Sequence, residues 1–196
     1  MHLELLVEDA STEAMLSVLL PNILANATFT IISFQGKQDL LGKLPSRLDG
    51  YSHWLPTDWR IIILLDRDDE DCKDLKASLN TIIAAAGLIV RQQATARIAI
   101  EELEAWYFGD GEALGLAYPR ISGTLTERAV YRDPDAIRGG TWEALERELQ
   151  RVGYHRGGMA KIAAARAIGQ HLDPERNRSH SFHTFINLLR EFDLSP

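Results

Sequence analysis

The segment WRIIILLDRDDEDCKDL, residues 59–75, runs the aliphatic residues 61–65 straight into Asp66, Asp68, Asp69, Glu70 and Asp71. A short, wholly apolar run reads as a strand covered on both faces, the usual state of a strand inside a parallel sheet. Its acidic end poses the question, because carboxylates gathered at a buried strand end repel one another. The flanking sequence repeats the pattern. LELLV (residues 3–7) is another short apolar run, and it ends at Glu8-Asp9. TFTIISF (28–34) reads as a further strand, and LIVRQQATARI (88–98) offers a fourth. Between them, STEAMLSVLLPNIL, GKQDLLGKLPSRLDGY and CKDLKASLNTIIAAAG read as helices, the second broken near Pro45. Strand–helix alternation of this kind predicts an α/β fold with a mainly parallel, Rossmann-like sheet of about four strands flanked by helices.

Two parts are expected: an α/β core over residues 1–110, and a mainly helical extension over 111–196 packed on it. The extension carries TWEALERELQRV, MAKIAAARAIGQHL and SFHTFINLLREF between glycines and prolines. At 196 residues the chain can bury a core without covalent staples. Its net charge of −7 argues against a general nucleic-acid coat or a membrane-surface protein, though not against a local basic patch. Cys72 is the single cysteine, which excludes an intrachain disulfide and a cysteine zinc cluster and fits a reducing, cytoplasmic setting. No signal peptide and no membrane span are expected.

In an open parallel sheet, sites gather at the carboxyl ends of the strands. Neighbouring strands lie ~5 Å apart, so Glu8, Asp66 and Asp68 could converge on one small volume. A divalent cation with hard oxygen ligands, Mg²⁺ or Mn²⁺, would explain such a cluster. Asp69, Glu70 and Asp71 are better read as favouring the N-terminus of the following helix.

LLVEDASTEAML followed by IIILLDRDDEDC resembles the Toprim domain, which carries a glutamate after its first strand and Asp-x-Asp after its third. Topoisomerases, primases and nucleases of the overcoming-lysogenization-defect type share that domain. IAIEELEAWYFGD and GGMAKIAAARAIGQHLDPERNRSHSFHTFINLL further resemble a group of uncharacterised bacterial Toprim-like proteins found beside ABC-type ATPases. The resemblance implies Mg²⁺- or Mn²⁺-dependent phosphodiester hydrolysis, as a nuclease or nuclease subunit acting on nucleic acid, DNA first, with an ATPase partner in defence or DNA metabolism. Asp66 and Asp68 would hold metal, and Glu8 would ligate metal or act as general base. Asp9 stands where the common pattern has glycine, which keeps open a non-catalytic Toprim-like binding subunit. A phospho-acceptor receiver-like domain using Asp66 is the other alternative.

Glu101 and Glu104, three apart in EELEAWYF, are expected on one helical face, either as additional site acids or as a solvated surface. Asp110 reads as a turn or cap residue. The C-terminal half carries Arg147, Arg151, His155, Arg156, Lys161, Arg166, Arg176 and Arg178 with few acids between them. Arg156, Lys161 and Arg166 are the expected nucleic-acid contacts, the alternative being an ordinary charged surface. Lys161 is favoured as a catalytic cation because it follows RGGM, whose glycines permit close backbone approach to a phosphate. The histidines form no convincing metal set, and the tryptophans read as core or interface residues.

Overall fold

The computed structural model describes residues 1–194, except for the side chains of residues 88 and 89. Four parallel strands form one sheet in the order β2-β1-β3-β4, with β1 His2–Val7, β2 Thr28–Ser33, β3 Trp59–Asp66 and β4 Ala94–Ala99. Parallel neighbours need crossover connections. Helices α1 (Ala10–Ile23), α2 (Lys37–Ser52) and α3 (Cys72–Ala85) supply them, with the short α4 (Leu88–Gln93) leading into β4.

Strand alternation sorts the core into two layers. Leu3, Leu5, Val7, Ile62 and Leu64 face α1 and the later helices, whereas Leu6, Ile61, Ile63 and Leu65 face α2 and α3. The first layer holds the larger cluster. In it, α5 (Glu104–Gly109), α6 (Gly111–Ala117), α7 (Thr141–Arg151), α8 (Lys161–Gly169) and α9 (His180–Asp193) pack over the α1 side of the sheet. Gly169 of α8 approaches α1 so closely that an added Cβ would lie 3.1 Å from the Met15 carbonyl oxygen. Trp106 is fully buried beside Phe182 and Phe185, tying α5 to α9. Among the described residues no helix is long and apolar enough to cross a membrane.

Local details depart from the sequence reading. Pro45 sits inside an unbroken α2, because Leu40, Leu44 and Leu48 form a buried stripe that outweighs the missing N–H. The expected fourth strand begins only at Ala94. The preceding residues form α4, whose last residue, Gln93, donates from its side-chain amide to the Pro56 and Trp59 carbonyls and pins the entry to β4.

Candidate metal centre

Strand order reverses between β1 and β3, and the crevice beyond the carboxyl ends of such a pair is where α/β sheets bind ligands. Glu8 follows β1 and Asp66 ends β3, so the register brings them side by side: the Asp66 backbone N–H donates to Glu8 Oε2 at 3.2 Å. Continuing the alternation of Ile62 and Leu64 puts Asp66 on the face covered by α1 and α5. Glu104, the first residue of α5, is buried there at 5 % exposure.

These acids are electrostatically crowded. Burial raises the Asp66 pKa well above the usual carboxylate range, and the charges of Glu104, Glu8, Asp9 and Asp68 add to the rise. Asp66 keeps some surface exposure, yet protein surrounds its carboxylate closely enough for burial to be the largest cause. Glu8 is also raised, by burial first, against the opposing hydrogen bond from Asp66. Burial pushes Glu104 to about 7, with Lys161 the chief influence in the opposite direction. Among the described residues no Lys, Arg or His forms an ion pair with Asp66. The Tyr107 hydroxyl, one turn along α5, is buried without a hydrogen-bond partner, and its pKa is raised by burial and then by Glu104 and Asp66.

Asp9 plays another part. Its backbone is extended (φ −149°), so the position needs no glycine. Its carboxylate caps α1, accepting from the Thr12 backbone N–H at 2.8 Å and from the Ser11 and Thr12 hydroxyls. Asp71 likewise caps α3, as the sequence suggested for the acids after Asp68.

Asp68 differs from Asp66. It sits at φ +52°, largely exposed, and meets the Lys37 ammonium at 2.5 Å. Its neighbour Arg67 turns the other way and ion-pairs with Glu101. Glu101 lies outside α5 at φ +64°, so the shared helical face expected for Glu101 and Glu104 does not form. Glu104 is not on a solvated face either. Both differences arise because the chain turns sharply between β4 and α5, with Glu102 accepting from the Thr141 hydroxyl and the Trp142 N–H at the start of α7. A cavity of about 640 Å³ opens beside this turn, between Asp68–Asp71 and the Gly139-Gly140 segment. It adjoins the acid cluster without including Glu8 or Asp66.

Lys161 begins α8, exposed, with its ammonium 4.1 Å from the Trp142 ring centroid. Arg156 and Arg166 are exposed and form no ion pair among the described residues. Lys37 was not singled out by sequence reasoning; its only signal was Gly36-Lys37 following the second strand.

Among the described residues no three His, Cys, Asp or Glu side chains form a ready-made metal cage. The donor set nevertheless fits a hard divalent cation. Mg²⁺ usually takes only one or two protein carboxylates and fills its remaining positions with water or phosphate. Asp66 is a carboxylate crowded by like charges, with no ion-pair partner among the described residues.

A parallel α/β sheet with an acid pair across its β1–β3 crevice and a helical layer closing one side defines the class. Residues 7–190 match the family described as a domain of unknown function (DUF4276), and the chain belongs to that family. Among solved structures it is similar in fold to the C-terminal region of the Burkholderia pseudomallei OLD protein, with a TM-score of 0.50 and 14 % identity over 97 % of this chain and 96 % of that one. No curated protein matches the sequence.

Proposed function

We propose that this chain is a divalent-metal-dependent phosphodiesterase acting on nucleic acid, a nuclease or nuclease subunit that works with an ABC-type ATPase. The observation that carries the reading is Asp66: closely surrounded at a strand end, crowded by Glu104, Glu8 and Asp9, and without an ion-pair partner among the described residues. Glu8 and Asp66 would hold Mg²⁺ or Mn²⁺, with Glu104 completing the carboxylate wall behind them. Bound there, the cation would polarise a phosphodiester and offset the charge that develops on it.

The remaining work falls to the chain's own residues. Asp9 fixes the start of α1 and so the position of Glu8. Burial raises the Glu104 carboxyl to about 7, so part of the population is protonated near neutral pH and a bound cation would favour the ionised form. Lys161, close enough to influence Glu104, would contact substrate phosphate together with Arg156 and Arg166. The fold shared with the OLD C-terminal region supports this reading. One observation favours a second reading, a non-catalytic binding subunit: Lys37 already engages Asp68.

The test is cleavage of supercoiled DNA and of single-stranded RNA in Mg²⁺ or Mn²⁺, with and without the ATPase. Cleavage by the wild type that Asp66→Asn abolishes is the expected result. Cleavage that survives Asp66→Asn, or none under any condition while nucleic acid still binds, refutes the catalytic reading; the latter outcome selects the binding subunit.

A further inference from the structure

The two acids of the Asp-x-Asp pair are in opposite states, and Lys37 makes the difference. Its side chain is 8 % exposed, and its Nζ lies 2.5 Å from Asp68 Oδ2, 2.9 Å from Glu70 Oε1 and 3.3 Å from the Arg67 carbonyl oxygen. An ammonium has three N–H donors and no acceptor, so these three oxygens satisfy it completely. Burial alone would lower the lysine's pKa, but the hydrogen bonds it donates to Asp68 and Glu70 outweigh it and the net shift is upward, which keeps the charge on the nitrogen.

The contact is built into the backbone on both sides. Lys37 opens α2 directly after Gly36, which takes φ +95° and donates its N–H to the Glu8 carbonyl at 2.9 Å. The end of β1 therefore positions the lysine. Opposite it, the Asp68 N–H donates to the Glu101 carbonyl at 2.8 Å and the Arg67 N–H to Ala99 at 2.9 Å. Glu8, Lys37 and Asp68 are thus held in one frame; the ammonium forms its ion pairs with Asp68 and Glu70, and its charge also acts on Glu8.

A pair of divalent cations bridging a phosphodiester would sit ~4 Å apart. Three oxygens around one point beside the first acid cluster are a donor set that a hard cation would accept. Here the protein has filled that point itself. We propose that the Lys37 ammonium permanently takes the place of a second divalent cation beside Asp68, so that the chain binds one divalent ion, at Glu8 and Asp66, rather than two. This inference rests on the metal reading above and adds its stoichiometry. Asp68 is then a partner of Lys37 and not a metal ligand.

The experiment counts Mn²⁺ bound per chain, by paramagnetic resonance of free Mn²⁺ and by calorimetry, without substrate. The wild type should bind one. Lys37→Met, similar in length and neutral, should bind two, because Asp68, Glu70 and the Arg67 carbonyl become free for a cation. Lys37→Met combined with Asp68→Asn should return to one. Two ions in the wild type, or one in a folded Lys37→Met, overturns the proposal while leaving the metal reading in place. Should Lys37→Met not fold, Asp68→Asn decides: one bound ion supports the proposal, and none shows that Asp68 is a ligand and overturns it. Asp66→Asn separates the two ideas, since retention of the ion there removes the Glu8–Asp66 site itself. A wild type that binds no Mn²⁺ removes both.

Discussion

Glu104→Gln should stabilise the metal-free protein at alkaline pH and do little in acid. Burial pushes the Glu104 carboxyl from 4.5 to about 7. A carboxyl with a folded-state pKa above its unfolded one favours the folded state in its protonated form. Its contribution is therefore fully present below about pH 4.5, declines as pH rises, and is lost above about pH 7. A displacement of that size corresponds to about 3 kcal/mol. For a chain of 196 residues this is roughly 6–12 °C in melting temperature. Glutamine keeps the shape of the neutral acid and cannot ionise, so the variant should track the wild type near pH 4.5 and melt higher near pH 8.5. The figure is an upper bound, because ionised Glu104 can draw water or shift toward Lys161. The assay is a set of thermal melts in chelator from pH 4 to 8.5. Millimolar Mg²⁺ should shrink the difference, since a bound cation favours the carboxylate. A melting difference that is the same at pH 4.5 and 8.5 would refute the premise that Glu104 is buried against a crowd of like charges.

Two further outcomes follow from the same charges. Replacing Arg156 and Lys161 together by alanine should weaken nucleic-acid binding for all sequences alike and reduce the salt slope by about 2, as the loss of two phosphate contacts requires; binding titrated over a salt series checks this, and an unchanged slope assigns both residues to ordinary surface. Arg176→Ala should cost about 3 kcal/mol in urea unfolding, because Asp110, 1 % exposed, would lose its ion pair and keep only backbone donors such as the Asp173 N–H.

What was legible in the sequence was the part governed by local pattern. Apolar runs of strand length ending in acids gave the parallel sheet, and the ends of the first and third strands gave Glu8 and Asp66 as neighbours. Pattern failed where tertiary contacts decide. Glu101 and Glu104 are correctly spaced for one helical face, but the backbone turns at Glu101 to pair it with Arg67, and only Glu104 enters the helix. The apolar stretch before Ala94 reads as strand, yet the sheet needs only six residues there and the rest winds into α4. Lys37 was illegible for a different reason. Its role depends on a separation of 31 residues from Asp68, and one lysine after a glycine carries no local signal of what it will meet.

The structure also divides the basic series that the sequence presented as one. Arg151 pairs with Glu148, Arg147 donates to Tyr131, Arg176 holds Asp110 and Arg178 reaches the Thr126 carbonyl, so these cations are occupied in holding the helical layer together. Among the described residues Arg156, Lys161 and Arg166 form no ion pair, and Lys161 rests on the Trp142 ring. The Trp142 backbone N–H donates to Glu102, whose charge acts on Glu104. If the proposed function holds, a polyanion would approach over Arg156 and α8, because α7 itself carries Glu143, Glu146 and Glu148. On the opposite flank it would meet Asp69, Glu70 and Asp71, which line the large cavity and repel it. On the proposed reading the acids would repel phosphate until a cation arrives, so affinity for a polyanion would have to come from Arg156, Lys161 and Arg166 rather than from cations that already hold the fold together.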